Sequence, residues 1–161
     1  MKRIIFIPCS GSEYNGELAR HVAIQLNEAS AIADKSSMLC FTIFLRNFLL
    51  KEPSFEFMKA DLTSNYIVLI DGCSGACTFK ILKHFEITPN LVINLNKLIP
   101  KPKMNLNDIQ AFKNRPRMND LRQEDISKVI DYVFLQLQEK NIIDLDNVQL
   151  DEKNIIKMKA D

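Results

Sequence analysis

Three short apolar runs constrain what this chain can fold into. Ile4-Ile5-Phe6-Ile7, Tyr66-Ile67-Val68-Leu69-Ile70 and Leu91-Val92-Ile93-Asn94-Leu95 are too short for buried helices and rich in β-branched and aromatic residues. That composition suits buried strands. Stripes of helical spacing separate the runs. Leu18, Ala19, Val22, Ala23 and Leu26 recur at three- and four-residue steps from Glu17 onward, after a loop punctuated by Gly11 and Gly16. A second helix starts near Cys40 with Phe41, Phe44, Leu45 and Phe48, and Pro53 closes it. Strands alternating with helices predict an α/β fold: three layers, with a mainly parallel sheet flanked by helices.

The remaining segments fill in this frame. Ala29 to Met38 reads as a short strand and a turn, Phe55 to Ala60 as a short helix, and Thr78 to Phe85 as a helix with Cys77 in its first turn. Pro100-Lys101-Pro102-Lys103 reads as a stiff exposed connection, followed by a polar stretch from Asn105 to Asn119 with Pro116 inside it. Ile126, Val129, Ile130, Val133, Phe134 and Leu137 then form the stripe of an extra C-terminal helix. The last twenty residues, charged with scattered isoleucines, receive no assignment. With no internal repeat, the 161 residues form one domain of ordinary size. Residues 1–100 make a cysteine-bearing core, and 101–161 a connection and a helical extension.

Charge narrows the partners. The chain has 21 basic and 20 acidic side chains, a net charge of +1. No excess of either sign argues for nucleic acid or an anionic membrane as a partner. Five apolar residues separate Met1-Lys2-Arg3 from Cys9, too few for the core of a secretory signal, and no run approaches a membrane span. The expected location is therefore cytoplasmic. Thiols stay reduced there, so grouped cysteines mean metal or catalysis more often than disulfides.

The chain has four glycines and four cysteines. Gly11, Gly16, Gly72 and Gly75 all lie in the two loops that hold Cys9, Cys73 and Cys77. A strand-to-helix turn often needs glycine, but that alone leaves the cysteines unexplained. Cys9 and Cys73 follow strands, and in parallel sheets the loops leaving the carboxyl ends of strands gather along one edge where ligands bind. Cys73-Ser74-Gly75-Ala76-Cys77 is a C-x-x-x-C pair able to chelate one ion across a turn. Helix N-termini favour anions, thiolates included. Four thiolates complete the tetrahedral shell of a structural zinc. Such a site adds roughly 10 kcal/mol or more to folding, comparable with a domain's entire net stability. Free cysteine is also a small buried hydrophobe. For Cys40, between Leu39 and Phe41, that reading stands beside the metal one.

Cys9-Ser10-Gly11, Gly16-x-Leu18-Ala19, Met38-x-Cys40 and Asp71-Gly72-Cys73-x-x-x-Cys77, in this order, resemble the DGC-domain family, named for the central Asp-Gly-Cys. The resemblance covers roughly the first hundred residues. It implies a zinc-binding protein with Cys9, Cys40, Cys73 and Cys77 as the ligands, and no defined cellular role. Members often carry Pro after the Asp-Gly-Cys and Ala after the last Cys. This chain has Ser74 and Thr78 there, which alters loop stiffness and packing but keeps the ligands.

Other residues receive local roles. Asp71 fixes its turn by accepting the amides of Cys73 or Ser74, and Ser10 and Ser12 cap the first loop. These, with the four glycines, shape the loops near the metal. The Cys9 loop superficially resembles a phosphatase anion loop, but the next arginine is Arg20, on the helix, and phosphatase chemistry is discounted. His21 and His84 read as surface or satisfied residues, and Arg115, Arg117 and Arg122 as a solvated basic face. Apart from the cysteine cluster no catalytic constellation is visible. Two alternatives to zinc remain: a thiol redox or sulfur-transfer enzyme using Cys9 as nucleophile with Cys73 and Cys77 resolving it, and an iron–sulfur protein.

Overall fold

A computed structural model of the chain describes residues 2–9, 11, 13–100 and 120–143. Ser10, Ser12, Lys101 to Asn119 (with Arg115, Pro116 and Arg117) and the residues from Asp144 onward lie outside them, as do the readings that fall on those positions. Four strands, β1 (Ile4–Pro8), β2 (Ser36–Met38), β3 (Tyr66–Asp71) and β4 (Leu91–Asn94), form one sheet in the order β2-β1-β3-β4. Every pairing is parallel, with Ile4 opposite both Ser36 and Tyr66, and Val68 opposite Leu91. The α/β class read from the sequence is the architecture found.

Alternation within the strands divides the core in two. Ile4, Phe6, Val68 and Ile70 face α1 (Tyr14–Glu28) and the C-terminal helix α6 (Gln123–Glu139). Ile5, Ile7, Ile67 and Leu69 face α2 (Phe41–Leu49), α3 (Ser54–Ser64) and α4 (Cys77–His84). A four-residue turn of helix, α5 (Leu95–Leu98), follows β4. On the first face, Leu18, Val22 and Leu26 of α1 pack with Val129, Val133 and Leu137 of α6, all fully buried. On the second face Phe44 lies within 5.7 Å of Phe41, 5.1 Å of Phe55 and 5.3 Å of Phe85, ring centre to ring centre.

Several boundaries differ from the sequence reading, each for a tertiary reason. Helix α1 begins at Tyr14, so Gly16 sits in its first turn instead of in the preceding loop. Helix α3 runs on to Ser64 because Leu62 is buried beneath it, and Asn65 ends it by donating to the Asp61 carbonyl at 2.8 Å. Strand β4 stops at Asn94, whose side chain accepts the Asn96 amide at 3.1 Å and turns Leu95 into a helix. The strand between Ala29 and Met38 is only three residues long, extended by the Leu39 amide donating to Phe6 O at 3.0 Å. Among the described residues no helix is long and apolar enough to cross a membrane.

The strand order places a topological switch between β1 and β3. From β1 the chain moves to β2 on one side, then crosses to β3 on the other. Loops leaving the carboxyl ends of β1 and β3 therefore diverge onto opposite faces and open a crevice, the usual ligand position in such sheets.

Candidate metal centre

The four cysteines come to the carboxyl edge of the sheet on three adjacent strands. Cys9 follows β1 directly, and its amide extends the ladder by donating to Ile70 O at 2.8 Å. Cys40 lies two residues beyond β2 and is the N-cap residue of α2. Cys73 lies two residues beyond β3, and Cys77 is the first residue of α4. Cys9 and Cys73 are half-buried, whereas Cys40 and Cys77 are exposed. The reading of Cys40 as a buried hydrophobe therefore fails.

The glycines explain how the loops approach one another. None of the four has a positive φ, so none is required for an unusual backbone conformation. Gly16 and Gly72 are required for space. A Cβ on Gly16 would stand 2.2 Å from Gly11 O, and one on Gly72 would stand 2.8 Å from both Asn15 C and Gly16 N. The loop after β1 thus closes onto the first turn of α1, and the loop after β3 closes onto that same turn. The other two glycines lie against sulfur. A Cβ on Gly11 would sit 3.4 Å from Cys9 Sγ, and one on Gly75 would sit 3.3 Å from Cys73 Sγ and 3.5 Å from Cys77 Sγ. The Cys73 and Cys77 sulfurs share one small neighbourhood, kept open because position 75 has no side chain.

Ala76 makes that neighbourhood possible. It adopts the left-handed conformation, with φ 46° and ψ 46°, and reverses the chain between the two cysteines. Its amide donates to Cys73 O at 3.2 Å, and that carbonyl also accepts the Asn94 side-chain amide at 3.1 Å. An alanine held there costs about 1 kcal/mol, so surrounding contacts enforce the turn. On the first loop, Arg20 donates through Nη1 to Gly11 O at 2.8 Å and to Cys9 O at 3.4 Å, and pairs through Nη2 with Glu17. Its guanidinium is committed to main-chain carbonyls, consistent with setting phosphatase chemistry aside. The Gly11 amide donates to Cys9 Sγ at 3.3 Å.

Asp71 is 1% exposed. Burial raises its pKa above the usual carboxylate value, against the opposing pull of the Phe79 and Thr78 amides and the Thr78 hydroxyl. Its interactions therefore run to the start of α4, not to Cys73 or Ser74 as the sequence suggested. Thr78, one of the departures from the family pattern, supplies part of that environment. Asp71 Oδ2 finds no hydrogen-bond partner among the described residues, and neither does Asn15 Oδ1.

Among the described residues no three His, Cys, Asp or Glu side chains stand close enough together to share a metal ion. Cys73 and Cys77 both border Gly75, and Cys9 and Cys40 lie at the ends of the neighbouring strands. The donor set fits zinc in kind: four thiols on one edge, with the Asp71 carboxylate buried toward α4. His21 is hydrogen bonded to Gln25 at 2.9 Å and His84 packs on Phe85. Arg122 is exposed, as a solvated face requires, and also grips Asp125 through Nε and Nη2 at 2.9–3.0 Å.

A parallel α/β domain with a cysteine-bearing carboxyl edge is thus the class that fold and site define. The DGC-domain family model matches residues 5–133, and the chain belongs to that family. The match extends past Pro100 into α6, further than the motif blocks reach. No curated protein and no solved structure matches the chain.

Proposed function

We propose that the chain binds one zinc ion through Cys9, Cys40, Cys73 and Cys77, in a structural or metal-handling role. The observation that carries this reading is the strand order, which sets all four cysteines at the ends of three neighbouring strands. The side-chain-free space at Gly75 supports it, because it lets two sulfurs face one point. Cys73 and Cys77 form the preorganised half of the site. Cys9 and Cys40, at the ends of the neighbouring strands, supply the other two ligands. A complete thiolate shell leaves no coordination position for water, which suits a structural or carrier site better than hydrolysis. The reading includes a reducing, cytoplasmic setting and a protein or small-molecule partner in place of nucleic acid or membrane.

Elemental analysis of protein purified without added metal tests the proposal. It should find about one zinc per chain, lost in the Cys73→Ser/Cys77→Ser double variant. A content near zero in the unaltered protein would contradict it.

One contact favours a second reading, a thiol enzyme acting through Cys9. The Gly11 amide donating to Cys9 Sγ is an arrangement that would serve a nucleophilic thiolate. Alkylation of metal-free protein discriminates: Cys9 must react faster than a free thiol at neutral pH, and an ordinary rate removes the reading. Four thiolates also suit iron, and visible absorption in anaerobically purified protein would identify a cluster in place of zinc.

A further inference from the structure

Strands β1, β2 and β3 each lead to a cysteine, whereas β4 ends at Asn94. Asn94 stands opposite Asp71 in the β3–β4 register, two residues before Cys73. Ile93 is buried on the α1 face, so alternation turns Asn94 to the other face, where α4 packs. Its side chain makes two hydrogen bonds. Oδ1 accepts the Asn96 amide at 3.1 Å, and Nδ2 donates to Cys73 O at 3.1 Å. The orientation is forced, because only the oxygen can accept an amide and only the nitrogen can donate to a carbonyl.

The Cys73 carbonyl is the closing point of the turn that carries two thiols. The Ala76 amide also donates to it, at 3.2 Å, and Ala76 O accepts the Lys80 amide at 3.0 Å as α4 begins. The sulfurs of Cys73 and Cys77 both lie within 3.5 Å of the point where a Gly75 Cβ would stand. This turn passes through Ala76 in the left-handed conformation, which alanine disfavours. The Ala76 bond belongs to the turn and is lost when the turn opens. The Asn94 bond comes from outside, anchored by the pairing of β4 with β3.

We infer that Asn94 is a positioning residue for the Cys73–Cys77 pair. Its amide holds the Cys73 carbonyl so that the turn stays closed, and the two sulfurs together, before a metal arrives. The consequence for metal affinity rests on the zinc reading of the site. A site that must first close binds more weakly in proportion to the fraction of molecules in which it is closed. Asn94 thus raises affinity without being a ligand.

Asn94→Asp and Asn94→Ser test the role on the full chain. Each keeps an oxygen able to accept the Asn96 amide. Neither holds Cys73, because aspartate has no proton to donate and serine is too short to reach. Metal-free samples of both should unfold at nearly the urea concentration of the unaltered protein. Both should bind zinc about fivefold or more weakly, read by competition with a chelating dye. The sign is informative for aspartate, since a negative charge added near a cation site strengthens binding by itself.

A second readout needs no metal: the rate at which diamide oxidises the metal-free Cys73–Cys77 pair to a disulfide, followed by peptide mass mapping. That rate should fall in both variants. Unchanged zinc affinity in both variants of a zinc-binding protein overturns the proposal. An unfolding midpoint that falls in step with affinity reduces Asn94 to a part of the scaffold and overturns it equally. Should the unaltered protein bind no zinc, the zinc reading fails and the oxidation rate alone judges Asn94. A slowed rate then upholds its hold on the turn, and an unchanged one overturns it.

Discussion

Gly72 lies flat against Asn15, so close that a Cβ on the glycine would stand 2.8 Å from the asparagine's carbonyl carbon and 2.9 Å from its oxygen. This contact joins the loop after β3 to the first turn of α1, and so joins the Cys73 loop to the element that also packs on the Cys9 loop. Gly72→Ala must push two main-chain segments apart, and neither can yield as a flexible side chain would. We expect it to destabilise the protein by about 1–3 kcal/mol in urea unfolding. A loss within experimental error would show that the loops are not clamped together there.

Gly75→Ala tests the site and not the scaffold. Its Cβ would meet the Cys73 and Cys77 sulfurs and no main-chain atom. The substitution should therefore leave the unfolding midpoint of metal-free protein nearly unchanged. It should weaken zinc affinity by about tenfold or more, read by competition with a chelating dye. Equal affinity in the two proteins would remove Gly75 from the account of the site.

Tyr14 links the start of α1 to the start of α6. Its hydroxyl donates to Asp125 at 2.6 Å and accepts the Arg122 amide at 3.0 Å. Burial, and then the Asp125 carboxylate, raise its pKa above 10.0. A raised folded-state pKa means that the contribution is fully present below pH 10.0, where both states are protonated. It is lost as pH climbs through the folded value, because the unfolded chain releases its proton first. Tyr14→Phe should cost about 1 kcal/mol near neutrality. The gap between the two proteins in urea unfolding should narrow above pH 10.0, and a gap that widens there would be the wrong sign.

The C-terminal helix shares the core of the cysteine-bearing half. Leu137 and Val133 are fully buried with Leu26 and Val22 of α1. Leu137→Ala should cost about 2–5 kcal/mol in a single cooperative unfolding transition. Two separated transitions, with the cysteine half unmoved, would show α6 to be an independent appendage.

Much of this was legible in the sequence because it rests on periodicity and composition. The three apolar runs became β1, β3 and β4, and the α1, α2, α4 and α6 stripes became buried faces. That glycine served the cysteine loops was visible from four residues in two segments. How it served them was not, since the partners of Gly72 lie more than fifty positions earlier in the chain. Long-range polar contacts carry no periodic signal, which is why Asn94 on the Cys73 carbonyl, Asn15 on Ile99 O at 3.0 Å and Asp71 beneath α4 were missed or misassigned. The left-handed Ala76 also left no trace, because alanine is an uncommon choice for that conformation.

The most direct test of the cysteine account is a crystal structure of the protein as purified, with diffraction recorded on either side of the zinc absorption edge. The account predicts one anomalous peak at the carboxyl edge of the sheet, about 2.3 Å from the sulfurs of Cys9, Cys40, Cys73 and Cys77. No peak, or a peak held by fewer of these cysteines together with carboxylates, would contradict it.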